Sequence, residues 1–213
     1  MKTSRVVIAL IIAFFTGAFF GIEVRLGIGQ LYPRDEEFKT APNQLFGEMG
    51  FSFVRSFSVG VGGRYIDFGK IDVIENPYSP IIVEELSREI NGFGTYIYGK
   101  FEPKLGGEAK IAPFAQFTSG VHFTYPTAKM KYTSGTERRF AESKSPSETV
   151  PFAMLSAGIE FIFSVVGVFA QGSYIKSGMI DYKPFEIEGF GTVSPGGKVD
   201  PSGWQIYVGV SLH

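Results

Sequence analysis

Gly203-Trp204-Gln205-Ile206-Tyr207-Val208-Gly209-Val210-Ser211-Leu212-His213 is the stretch on which the fold turns. Side chains of a strand alternate between two faces. Trp204, Ile206, Val208, Val210 and Leu212 therefore share one face, and Gln205, Tyr207, Gly209 and Ser211 the other. The first set is bulky and apolar without a break; the second is small or hydrogen-bonding. A strand of a soluble core can show the same alternation, so the segment acquires meaning through its recurrence.

Seven earlier segments repeat it. Ile22 to Tyr32 sets Ile22, Val24, Leu26 and Ile28 against Glu23, Arg25, Gly27 and Gly29. Leu45 to Val54 sets Met49, Phe51 and Phe53 against Glu48, Gly50 and Ser52, and Phe57 to Phe68 sets Val59, Val61 and Tyr65 against Gly60, Gly62 and Arg64. In Phe93 to Glu102 the apolar face is Phe93, Ile97 and Phe101, while Tyr96 and Tyr98 accompany Lys100 and blur the sidedness. Ala109 to Tyr125 opposes Phe117, Val121 and Phe123 to Gln116, Thr118 and His122. Phe152 to Phe161 opposes Leu155, Ala157 and Ile159 to Ser156, Gly158 and Glu160. Val166 to Ile175 opposes Val168 and Ala170 to Gln171 and Ser173, with Phe169 as an exception.

The connections alternate in length. Tight links fall at Arg55-Ser56, at Pro103 to Gly107 and near Phe163-Ser164; long polar stretches run from Pro33 to Gln44, Gly69 to Gly92, Pro126 to Pro151 and Lys176 to Ser202. Every long loop at one end is unusual for a compact soluble domain and usual for an outer-membrane barrel. Within the second long loop, Ser79-Pro80 reads as a helix start and Asn91-Gly92 as a stop. Ile82, Leu86 and Ile90 lie between them, and a short helix on the barrel rim is expected there.

Orientation of the faces separates a membrane barrel from a soluble one. A soluble ligand-binding barrel has an apolar interior and a polar exterior. Here one row collects Glu23, Arg25, Glu48, Arg64, Lys100, Gln116, His122, Glu160 and Gln171. The other carries nearly all the Phe, Val, Ile and Leu. With the apolar row toward lipid, barrel closure satisfies the backbone and the charges pair in the lumen. Tyr32, Tyr65, Phe68, Tyr125 and Trp204 stand near strand ends, as an interfacial belt would. The expected fold is a closed, eight-stranded, antiparallel, up-and-down transmembrane β-barrel, and Trp204, Ile206, Val208, Val210 and Leu212 form the lipid-facing side of its closing strand.

Composition agrees. The chain has 213 residues, a formal net charge of −1, no cysteine, 27 glycines and 15 % aromatics. Such a balance points away from nucleic acid, excludes disulfides and thiolate metal sites, and favours strands with tight bends. Lys2 and Arg5 precede the apolar run Val6 to Phe15, and Thr16-Gly17-Ala18 supplies small residues for cleavage. The expectation is an export signal over 1–18 and a barrel over 19–213.

Arg55-Ser56-Phe57-Ser58-Val59-Gly60-Val61-Gly62-Gly63-Arg64-Tyr65, Pro113-Phe114-Ala115-Gln116 and Ala157-Gly158-Ile159-Glu160-Phe161 resemble the small outer-membrane β-barrel domain family, which includes OmpX-like and OmpA-like barrels. The resemblance spans the mature chain through its rhythm and speaks to fold more than to activity. It implies insertion by the barrel-assembly machinery, which usually meets an aromatic last residue; His213 stands there instead.

Chemistry is sparse. Of the two histidines, His122 falls in the lumen row, where hydrogen bonding to barrel neighbours accounts for it, and no serine–acid pairing with Ser119 or Glu160 is legible. No catalytic residue, cofactor site or metal-ligand spacing is expected. The lumen charges read as a salt-bridged plug, or alternatively as the lining of a narrow ion path. Lys129, Lys131, Arg138, Arg139 and Lys144 make the third loop basic in places. The expected partners are outer-membrane lipid, the assembly machinery and a surface ligand held by the loops, without nucleic acid. The expected role is non-enzymatic, in envelope integrity or adhesion. A narrow channel, a lipid-modifying enzyme and a soluble ligand-binding barrel are the alternatives.

Overall fold

The computed structural model describes residues 22–35, 38, 41–54, 56–71, 82–103, 109–134, 136–187, 191–194 and 196–213; the expected export signal lies outside them. Eight long strands form the wall: β1 (Ile22–Pro33), β2 (Asn43–Val54), β3 (Phe57–Ile71), β4 (Ile82–Phe101), β5 (Ala109–Ser134), β7 (Glu148–Phe163), β8 (Val166–Ser177) and β13 (Gly203–Leu212). Each pairs antiparallel with its neighbours in this order, and β13 returns to β1, so the barrel is closed and up-and-down. The seam runs from Val24 opposite Leu212 to Pro33 opposite Gly203, while β13 pairs with β8 along its other edge. Closure leaves no unpaired wall edge, which lets backbone polar groups enter hydrocarbon.

The short links lie at the end where β1 begins and β13 finishes, and the long ones lie at the opposite end. Between β7 and β8 the link is Ser164-Val165, and Ser164 adopts a left-handed φ of 61°. A two-residue hairpin needs positive φ at this point to match the strands' twist.

The expected helix between Ser79 and Gly92 is not formed in its described part; 82–92 belong to β4, paired with β5 from Ile82 opposite Thr133 to Gly92 opposite Thr124. The spacing of Ile82, Leu86 and Ile90 explains the misreading. A step of four is close to one helical turn, yet it is also two strand repeats, so the pattern fits both geometries. Pairing on both sides decides for the strand, because β3 also continues along β4 to Ile71 opposite Arg88.

The third long connection is likewise not a loop. β5 runs on to Ser134 and folds back as β6 (Glu137–Lys144), which pairs with β5 where β7 stops. The fourth holds four short strands: β9 (Ile180–Tyr182), β10 (Phe185–Ile187), β11 (Gly191–Ser194) and β12 (Gly197–Val199). They pair as β9 with β12 and β10 with β11.

Gly191 is the only described glycine with positive φ. The wall glycines supply space. A Cβ on Gly62 would enter the Tyr96 ring, and one on Gly60 would enter the Tyr98 ring. Both tyrosines lie inward over these bare patches, and this settles the blurred sidedness of β4.

Candidate functional site

The lumen is filled in three layers. At the end of the short turns it is ionic. Arg25 on β1 is fully buried, with Nη1 3.4 Å from Glu48 and donating to Gln116 Oε1 at 3.2 Å; its Nε is 3.7 Å from Glu23. Its guanidinium also lies 3.9 Å from the Phe169 ring centre and 4.5 Å from that of Phe114. Lys100 on β4 donates to Glu23 and Glu102, and Gln116 Nε2 donates to Glu48 Oε1 at 2.8 Å. Glu160 accepts from Ser211, and His213 Nε2 lies 2.8 Å from the same carboxylate oxygen. Gly167 makes room there, since a Cβ on it would strike Glu160 and Ser211.

The middle layer is aromatic and amide. Phe46 packs edge-on against Tyr207 at 4.9 Å, and Tyr207 hydrogen-bonds to Gln44 and Gln205. Arg64 donates from Nε to His122 Nε2 at 2.8 Å and stacks 4.0 Å over Phe152. His122 accepts through Nε2 and so carries its proton on Nδ1; its ring lies flat on Phe152 at 4.2 Å. Gln171 donates to Ser173, which donates to Ser156. Ser119, a serine that could have served His122, lies exposed on the opposite face of β5.

The outer mouth is sealed by apolar groups. Leu31, Ile66, Phe68, Ile90, Phe152, Met154 and Ile175 from the wall meet Ile180 of β9 and Val199 of β12 in one buried cluster. β9 and β12 of the fourth connection thus lie over the mouth as a lid. Arg88 fastens it from β4 by donating to the Lys183 carbonyl at 2.7 Å and stacking on Tyr182. Asp200 holds its far side. Partial burial alone would raise its pKa, but hydrogen bonds from Ser202 and Lys176 outweigh that and hold the carboxyl below its usual value.

All nine polar residues assigned to the lumen row, from Glu23 to Gln171, are buried. The structure brings Glu23, Arg25, Glu48, Lys100 and Gln116 into one network with Glu102. Arg64 and His122 form a separate pair, and Glu160 joins Ser211 and His213. Sequence reasoning missed the apolar share of the lumen: Phe46, Phe114, Phe152 and Met154. Their parity on each strand matches that of Glu48, Gln116 and Glu160, so alternation carried to the strand ends would have found them. Phe68 is corrected from the interfacial belt to the lumen, where it packs on His122, because it shares the parity of Arg64.

On the outer row, Trp204, Ile206, Val208 and Val210 are exposed, as are Ile28, Val61, Ile97, Phe117 and Leu155. Leu212 departs from this set and is buried, opposite Val24, which is buried too. The two residues are partners across the seam, and this corner adds nothing to the exposed belt. Tyr32, Tyr65, Tyr125 and Trp204 ring the belt toward the long connections, and Phe57, Phe101, Phe161 and Phe163 ring it toward the short turns. From Phe57 to Tyr65 the wall rises about 20 Å for strands tilted by about 40°, close to a membrane's apolar span. An exposed apolar belt around a polar, charge-paired interior is the arrangement of a barrel in lipid.

The space left among Phe46, Glu48, Arg64, Tyr96, Met154, Gln171 and Tyr207 is about 10 Å³, room for a single water.

No protein-family model and no curated protein matches the chain. Among solved structures it is similar to Neisserial surface protein A, at 11 % identity over 90 % of this chain and 96 % of that one, with a TM-score of 0.50. It also aligns with Ail, the attachment invasion locus protein of Yersinia pestis, at 10 % identity, 90 % and 94 % coverage and a TM-score of 0.37. A third is the N-terminal barrel domain of Pseudomonas aeruginosa OprF, at 12 % identity, 89 % and 96 % coverage and a TM-score of 0.36. The first of these likenesses is one of fold. Taken with the closed wall, the apolar belt and the packed lumen, it gives the chain the fold of the small eight-stranded outer-membrane barrels, of OmpX-like and OmpA-like type.

Proposed function

We propose that this chain resides in a bacterial outer membrane and serves as a non-enzymatic surface-interaction protein, its filled barrel acting as a rigid base for what projects outward. The observation that carries the reading is the sheet beyond the belt. β4 and β5 keep pairing past Tyr125 as far as Thr133, and β6 adds a third strand. From Tyr125 to Ser134 the strand extends about 30 Å at about 3.3 Å per residue. Such a sheet holds its side chains in register, as a recognition surface requires. Lys129, Lys131, Arg138, Arg139 and Lys144 lie on it with Glu137 and Glu142, and Phe140 is exposed beside them.

The reading predicts binding to acidic surface polysaccharide. Refolded protein in lipid vesicles is expected to bind immobilised heparin and not neutral dextran, with binding weakened by salt. Replacing 130–142 by a two-residue turn is expected to weaken it about tenfold, the worth of one or two charge contacts at about 1.4 kcal/mol per decade. Unchanged binding in the shortened protein would remove the support. An altered envelope permeability without a binding change would favour the envelope-integrity role.

The packed lumen favours this role over conduction. Planar-bilayer recordings of the intact barrel are expected to show no steady current, because the ionic layer, the aromatic layer and the Ile180–Val199 lid each block the axis. A stable open level would refute that expectation and restore the channel.

A further inference from the structure

We propose that Glu23, Glu160 and His213 form a divalent-cation site, suited to Zn²⁺, at the mouth of the barrel near the short turns. The three residues come from β1, from β7 and from the position following β13, so no spacing in the sequence marks them. One donor atom from each lies within 4.8 Å of the other two. Ligand atoms about 2.0–2.2 Å from a tetrahedral Zn²⁺ stand about 3.3–3.5 Å apart. Glu160 and His213 are already at 2.8 Å, so only small side-chain rotations separate this arrangement from a coordinating one.

Three observations favour a metal over a purely hydrogen-bonded cluster. Glu160 is fully buried, and its Oε2 has no hydrogen-bond partner. A buried carboxylate oxygen without a donor is costly, and a cation would satisfy it. The ionic layer also holds more acid than base: Glu23, Glu48, Glu102 and Glu160 accompany Arg25 and Lys100, and all six are buried. A bound dication removes that excess. Finally, the His213 side chain is 14 % exposed, so the site can be reached from solvent.

Lys100 now donates to Glu23, which also lies 3.7 Å from Arg25 Nε, and Ser211 donates to Glu160; these are the competing interactions. The second carboxylate on Lys100, Glu102, remains when Glu23 turns toward an ion, so the lysine stays paired. One imidazole with two carboxylates matches the mixed nitrogen and oxygen donors that Zn²⁺ takes. Mg²⁺ and Ca²⁺ prefer oxygen alone. The His213 backbone is fastened by its N–H to the Val165 carbonyl at 2.9 Å, which fixes where the imidazole can reach. A bound ion would tie β1, β7 and the end of β13 across the seam, and its binding energy would add to barrel stability.

The test uses untagged, refolded barrel in detergent after chelation. Calorimetric titration with Zn²⁺ is expected to give about one ion per chain, undisturbed by millimolar Mg²⁺. His213→Ala and Glu160→Gln are each expected to weaken binding by about tenfold or more. Co²⁺ is expected to give the visible absorption of a tetrahedral site in the parent and not in His213→Ala. Saturating Zn²⁺ should raise the parent's unfolding temperature and leave that of His213→Ala unchanged. His213 lies beyond the last wall strand, so this variant keeps the pairing that closes the barrel; its gel mobility before and after boiling verifies that. Absence of saturable binding in the parent, or equal binding and equal thermal shift in His213→Ala, overturns the site.

Discussion

Replacing Arg25 by methionine is expected to lower the barrel's unfolding free energy by about 3–5 kcal/mol, the usual loss when one partner of a buried ion pair is removed. The volume is nearly kept, so the cost is electrostatic. Glu48 loses its cation at 3.4 Å, Gln116 loses a donor, and Phe169 and Phe114 lose a guanidinium stacked between them. Each stacking contact is worth about 2 kcal/mol when desolvated, so the lost stacking and the stranded carboxylate both contribute. Adding Glu48→Gln to the same chain should recover part of the loss, because it removes that charge while leaving Tyr96 and Gln116 with an amide to bond. Urea unfolding in lipid vesicles measures both. A drop below about 1 kcal/mol for Arg25→Met would mean that water reaches the layer and the lumen is not packed as described.

The second large effect is on the outer face. Ile97→Arg is expected to cost about 2–4 kcal/mol in a bilayer, because Ile97 is 65 % exposed and sits opposite Val61, halfway up the belt. Phe57→Arg, at the belt's lower rim, should cost about 0–1 kcal/mol. The contrast matters more than either value. In a barrel surrounded by water both positions would be ordinary surface sites, and both changes would fall within about 0.5 kcal/mol. Equal and small effects would therefore count against a lipid environment; a depth-graded cost would support it.

Much of the wall was legible because alternation is a local property. The parity of Glu48, Arg64, Lys100 and Gln116 follows from their own strands, and each is buried. The uneven connections were legible too, since turn residues announce themselves. What lay between the long connections' ends was not. Ile82, Leu86 and Ile90 repeat at a step shared by helix and strand, and only the pairing of β4 with β3 and β5 breaks the tie. Polar residues from 126 to 151 read as solvated loop, although two strands can be polar on both faces when water lies on both sides.

The candidate site divides in the same way. That Glu23 and Glu160 point inward was readable from parity; that they approach each other and His213 was not, because they come from β1, β7 and the position after β13. Nor could the sequence show Arg64 resting on His122 and Phe152, or Ile180 and Val199 sealing the mouth. By itself the sequence determined which way most wall residues face, Phe68, Leu212 and the β4 tyrosines excepted, and hence an apolar outside and a polar inside, because side-chain direction depends on the backbone of its own strand alone. The tertiary structure decided which inward residues meet, because closure and register bring distant strands to one level, and neither leaves a mark in the spacing along a single strand.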